Sequence, residues 1–109
     1  MFRRLNWMAS SREDFDAMPA EVQDGIDMAL VFARMGFKSS HARPIGRCGE
    51  VGVLEVVEEC CGGTYWAVYS VRYVDAVYVL HCCRQLPDIT VIKTRLKAVE
   101  LFKRGGWYE

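Results

Sequence analysis

Three runs of strand-forming residues lie back to back in the second half of the chain, and they limit its fold more than any other feature. Residues 51–60, 64–73 and 76–83 are rich in Val and Tyr and are separated by short stretches that hold Gly62-Gly63 and Val74-Asp75. Connections this short join antiparallel neighbours, because a parallel pair needs a crossover of a dozen or so residues. The centre of the domain is therefore expected to be a three-strand antiparallel meander. With 109 residues, 51% of them hydrophobic, the chain has material for one core around such a sheet and not for two.

The flanking segments read as helices with a candidate edge strand. Residues 2–8 have strand character, and Ser10 and Ser11 ahead of Glu13 and Asp14 offer N-cap chemistry for a short helix. Pro19 suits a first helical position, Val22, Ile26, Met28, Ala29, Leu30 and Ala33 form an apolar stripe, and Gly36 is placed to end the helix. Residues 37–49 hold Gly, Ser, Pro and basic residues without a period, which reads as a loop displaying His41, Arg43 and Arg47. Pro87 and Asp88 open a last helix whose stripe is Ile89, Ile92, Leu96, Val99 and Phe102, ending at Gly105-Gly106. The expected fold is α+β in one domain over residues 1–109: a small twisted antiparallel sheet, two N-terminal helices on one face, and a C-terminal helix.

With two-residue turns, side-chain alternation divides the meander into two faces. One carries Leu54, Val56, Tyr65, Ala67, Tyr69, Val71, Tyr73, Tyr78 and Leu80 and suits packing against helices. The other carries Glu55, Glu59, Trp66, Ser70, Arg72, His81 and Cys83 among valines, a high density of polar groups for mid-sheet, and reads as an open working surface.

Charge and cysteine usage narrow the setting. The formal net charge is zero, so the whole-molecule field draws in no polyanion, but the distribution is uneven. Between residues 84 and 104 stand Arg84, Lys93, Arg95, Lys97, Lys103 and Arg104 against Asp88 and Glu100, six minus two or +4, while residues 50–59 carry acids only. A solvated helix surface explains such a run as readily as a polyanion site does. Five cysteines, with Cys60-Cys61 and Cys82-Cys83 adjacent, make a poor disulfide framework and fit a reducing cytoplasm. The longest uncharged stretches are far shorter than the roughly 20 apolar residues of a membrane span, and the start lacks a signal-peptide pattern. Neighbours on a strand point to opposite faces and no C-x-x-C spacing occurs, so no metal site is expected.

Order and spacing of several short motifs resemble the HigB/RelE toxin superfamily, specifically its phage-derived HigB-like branch in bacterial type II toxin–antitoxin modules. The motifs are Ala42-Arg43-Pro44-Ile45, Val53-Leu54-Glu55-Val56, Tyr65-Trp66-Ala67-Val68-Tyr69-Ser70-Val71-Arg72, Ala76-Val77-Tyr78-Val79-Leu80-His81, and the final helix with Asp88-Ile89 and Arg95-Leu96-Lys97. The resemblance implies a ribosome-dependent mRNA endoribonuclease with no cofactor, whose partners are mRNA, the ribosome and a cognate helix-turn-helix antitoxin. Two departures stand beside it: Trp66 occupies a position often held by arginine, and Cys82-Cys83-Arg84-Gln85-Leu86 replaces a lysine-rich stretch after His81. They favour the alternative of a catalytically weakened binding module; a phage accessory protein that reuses the fold is a third reading.

The site residues follow from that frame. Arg72, His81 and Arg84 are the catalytic candidates: guanidinium holds phosphoryl oxygens in fixed geometry, and imidazole moves protons near neutral pH. Arg43, Arg47 and Lys93 are the candidate phosphate contacts, and Trp66 the candidate base-stacking platform. The competing readings are an Arg72–Glu55 ion pair, a packed histidine, solvated surface cations and a core tryptophan.

Overall fold

The computed structural model describes residues 2–105. In chain order the elements are β1 (Arg4–Trp7), α1 (Ser11–Asp16), α2 (Ala20–Arg34), β2 (Ala42–Pro44), one 3₁₀ turn (Gly46–Cys48), β3 (Val53–Cys60), β4 (Gly63–Ser70), β5 (Ala76–Cys83) and α3 (Ile89–Lys103). The strands form one sheet in the order β1-β5-β4-β3-β2, antiparallel except where β1 lies parallel to β5. The expected meander is its centre, and the N-terminal segment supplies an edge strand.

Local chemistry sets the helix limits. α2 follows Pro19, whose lost N–H costs nothing ahead of a first turn, and stops where Gly36 takes a left-handed φ of 87°. At α3 the Asp88 carboxylate accepts from the amides of Thr90 (2.9 Å) and Val91 (3.4 Å), satisfying two donors that an uncapped end leaves orphaned. Ser10 and Ser11 do not cap α1 in this way. Ser10 Oγ donates to Asp14 and the buried Ser11 Oγ to the Val79 carbonyl, pinning the helix to β5. Met28 and Phe102, counted in the apolar stripes, are more than half exposed, and Gly106 lies outside the described residues.

Both sheet faces are covered. Phe15, Val22, Ile26, Ala29, Leu30 and Ala33 from α1 and α2 pack on Leu54, Val56, Ala67, Tyr69, Val77 and Val79. Ile92, Leu96 and Val99 from α3 pack on Val53, Val68, Tyr78 and Leu80, with Ile45 and Cys48 alongside. Each face buries several large aliphatic side chains, at about 1.5–3 kcal/mol apiece relative to exposure.

The structure corrects the sequence-based picture in three places. First, β2 lies inside the presumed loop: Ala42, Arg43 and Pro44 pair with Val56, Glu55 and Leu54, and Pro44 is tolerated because β2 is an edge strand. Second, the β3–β4 turn is Cys61-Gly62, with φ of 56° and 79°, so Cys60 faces Gly63. This moves the register by two residues and leaves the faces unchanged. Third, the β4–β5 register slips: Val68 faces His81 but Tyr69 faces Val79, which makes Leu80 the extra residue of a bulge. Beyond the bulge the alternation inverts, so Tyr78 and Leu80 move to the α3 face and Val77 and Val79 to the α1/α2 face. Alternation could not reveal this, because both sets of β5 side chains are apolar and either packs well. The supposedly open face is covered by α3, which packs on Val53, Val68, Tyr78 and Leu80.

Candidate nucleic-acid interface

α3 does not cover all of its face. Partners across a sheet share a side, and one row runs Arg43–Glu55–Val68–His81 across β2, β3, β4 and β5. The next row is Val57–Trp66–Cys83. Four of the expected site residues, Arg43, Arg47, Trp66 and His81, thus gather towards one end of the sheet, near the start of α3.

At the β2 side of this end the electrostatics are set by Glu55. Its side chain is only 3% exposed, and it holds Arg43 Nε at 3.0 Å and Arg47 Nη2 at 3.6 Å. The second contact is an ion pair without a hydrogen bond, and Glu55 Oε1 has no hydrogen-bond partner among the described residues. Register places Arg43 directly opposite Glu55, and the 3₁₀ turn carries Arg47. Glu55 therefore belongs to these two arginines and not to Arg72, which a competing reading of the sequence had paired with it. Both arginines remain substantially exposed, 67% and 38%, so each can meet an incoming anion while anchored.

The β5 side is built around His81. Because β1 stops at Trp7 opposite Val79, β5 has no strand neighbour on that side from His81 to Cys83. There an open depression of about 390 Å³ is lined by Asp14, Tyr65, His81, Cys83 and Arg84, with Ala17, Met18 and Cys82. Arg84 lies over the Tyr65 ring at 5.6 Å from its centroid, and Arg95 of α3 donates to the Leu80 carbonyl beside the bulge at 2.8 Å. Burial, then the Arg95 charge, pull the His81 pKa below its usual value against the opposing pull of Asp14 and Asp88. His81 Nδ1 is buried without a hydrogen-bond partner among the described residues. A half-buried neutral imidazole beside cations has the proton capacity that an acid–base role needs. Burial pushes the Cys82 thiol to about 12 and the Cys83 thiol to about 11, so both stay protonated at neutral pH and are poor nucleophiles.

The depressed imidazole pKa carries a stability consequence. A histidine that prefers to be neutral when folded binds more protons unfolded, so stability is intact above the unfolded pKa of about 6.5 and falls as pH drops below it. Denaturant midpoints are expected to decline from pH 7 to pH 5, and His81→Asn should flatten the part of that decline due to this group.

Arg72 is placed elsewhere. It lies two residues beyond the end of β4, at the other end of α3, where Nη2 meets Glu50 at 2.7 Å, Nη1 meets Glu100 at 2.8 Å and Nε donates to the Val51 carbonyl. Glu100 is on α3, so this clasp ties the C-terminal half of the helix to the sheet. Arg72→Ala should lower stability by about 1–3 kcal/mol, the usual cost of losing charge-assisted hydrogen bonds that are only partly exposed, as read from urea unfolding. Lys93 is exposed on α3, outside the sheet rows. The sequence reading named none of Glu50, Glu100, Asp14, Tyr65 or Arg95 as part of a site, and only assembled geometry brings them to Arg72 or His81.

A family model for phage-derived Gp49-like protein (DUF891) matches residues 13–103. The chain belongs to this family. Gp49-like proteins are RelE/HigB-like toxins, so the sequence resemblance holds at the family level, and the mixed five-strand sheet with three helices agrees with a RelE-like α+β fold. No curated protein and no solved structure matches the chain. No helix among the described residues of this Gp49-like chain is long and apolar enough to cross a membrane.

Proposed function

We propose that this Gp49-like chain is the toxin of a type II toxin–antitoxin module, of the HigB-like kind, acting in the cytoplasm as a metal-independent endoribonuclease on ribosome-bound mRNA. The observation that carries the reading is the shared row of Arg43, Glu55 and His81 with Trp66 on the adjoining row, at the sheet end that α3 leaves uncovered. In this reading His81 takes the proton from a ribose 2′-hydroxyl or returns one to the leaving 5′-oxygen, and Arg84 beside it stabilises the phosphorane charge. Arg43, Arg47 and Lys93 hold flanking phosphates, and Trp66 stacks on a base, a contact worth about 1–3 kcal/mol. Arg72, clasped by Glu50 and Glu100 at the other end of α3, stands outside this end of the sheet. A helix-turn-helix antitoxin neutralises the toxin by covering the same end.

Supplying the purified protein to a translating extract tests the reading. It requires cleavage of ribosome-bound message with 5′-hydroxyl ends that persists in excess chelator, and intact message throughout contradicts it. A second reading, a binding module that keeps the antitoxin or ribosome interface without cutting RNA, draws support from the ion pairs: carboxylates already occupy Arg43, Arg47 and Arg72. Intact message together with tight ribosome association is its signature.

A further inference from the structure

The tip of the β3–β4 hairpin holds chemistry that the RNA reading does not use. Cys60 closes β3, and Cys61 is the first residue of the two-residue turn, with φ of 56° ahead of Gly62 at 79°. Two successive positive φ values match the type I′ turn that suits a twisted hairpin, and its first position normally takes Asn, Asp or Gly. A cysteine there is unusual, because the left-handed conformation costs an L residue about 1–2 kcal/mol. The consequence is geometric. On a regular strand adjacent side chains diverge, but the left-handed turn brings the two Sγ atoms to 2.8 Å, and both thiols are free. The alternation rule that argued against paired thiols thus fails at Cys60-Cys61. It holds at Cys82-Cys83, where register puts the two on opposite faces.

We propose that Cys60 and Cys61 form an exposed vicinal dithiol that exchanges with small-molecule disulfides of the glutathione class and closes reversibly into a Cys60–Cys61 disulfide. Cys61, exposed on the turn, attacks first: its thiolate bonds to one sulfur of the small disulfide and expels the other half as thiolate. Cys60 then gives up its proton and attacks the Cys61 sulfur, expelling the second small thiol. The protein loses two electrons and two protons, and one small disulfide becomes two thiols. The order of attack follows exposure, since Cys61 is exposed on the turn whereas Cys60 is partly buried at the end of β3. Neighbouring Cα atoms stand about 3.8 Å apart, less than the usual disulfide span of about 4.4–6.8 Å, so the closed ring is readily reduced and the site is reversible. The tip also touches the proposed RNA site: a Cβ at Gly63 would meet Arg84 Nε at 3.0 Å, so the hairpin backbone and the Arg84 guanidinium are in close contact.

The test needs no assumption about RNA. The folded full chain is incubated with oxidised glutathione, its intact mass is recorded, and the cysteine peptides are mapped. The expected product has lost two hydrogens, retains no glutathione, carries its new bond within residues 60–61, and returns to the dithiol in a small excess of dithiothreitol. Cys60→Ser should instead trap one glutathione on Cys61, and this variant can be checked for an unchanged melting curve. Stable glutathionylation of the wild type, a bond that involves Cys48, Cys82 or Cys83, or no change in mass would each overturn the proposal.

Discussion

His81→Ala should relieve growth arrest caused by expressing the chain without a partner, and should cut message cleavage by about 10²-fold or more, the usual contribution of a positioned acid or base. The side chain is half-buried at the end of β5, and its buried ring nitrogen Nδ1 has no hydrogen-bond partner among the described residues. Removing it breaks no internal hydrogen bond that the fold depends on, so the melting temperature should fall by only a few degrees. His81→Asn keeps a polar group of similar reach but cannot shuttle a proton, and should be as inactive as the alanine variant. A variant that still arrests growth at full strength would remove His81 from the chemistry and leave it a packing residue.

Removing both cations from Glu55 should have the largest effect on stability. Arg43→Ala with Arg47→Ala leaves a carboxylate that is 3% exposed without either counter-charge. Breaking a buried pair costs about 3–5 kcal/mol when the survivor stays charged, and the exposure of both arginines reduces this to about 2–4 kcal/mol. Urea unfolding should show the midpoint falling at constant slope. Adding Glu55→Gln should restore most of the loss by removing the stranded charge. The rescued triple variant then separates two roles: it is folded but lacks two candidate phosphate contacts, so its RNA affinity should be lower and its salt dependence shallower than wild type. Failure of Glu55→Gln to rescue would mean that the arginines stabilise the edge by packing and not by neutralising Glu55.

Much of the fold was legible in the chain because its signals were local. Short turns between β-rich runs required the meander, Gly36 ended α2, and Asp88 capped α3. What escaped was non-local or degenerate. The bulge at Leu80 was invisible because Val77, Val79, Tyr78 and Leu80 satisfy a core on either side, so the pattern carries no information about which pair faces which helices. β2 is three residues long with a proline and has no period to detect. The site was legible in part: Trp66 and His81 share a face because the β4–β5 pairing on that side of the bulge agrees with counting from the 74–75 turn, whereas Arg43 and Arg47 reach the same end through β2 and the 3₁₀ turn, which read as a loop. Arg72 separates from them because, beyond the strand end, its geometry is set by Glu50 and by Glu100 on a helix 28 positions later. No sequence pattern links those three.

Everything functional depends on the uncovered sheet end meeting RNA while α3 seals the remainder of that face. Amide chemical-shift mapping with a short single-stranded RNA tests this most directly. The account requires the largest changes at Arg43, Arg47, Trp66, His81 and Arg84, with the α2 face silent and the response weakening as salt rises. Changes centred on α2, or none below millimolar RNA, would contradict it.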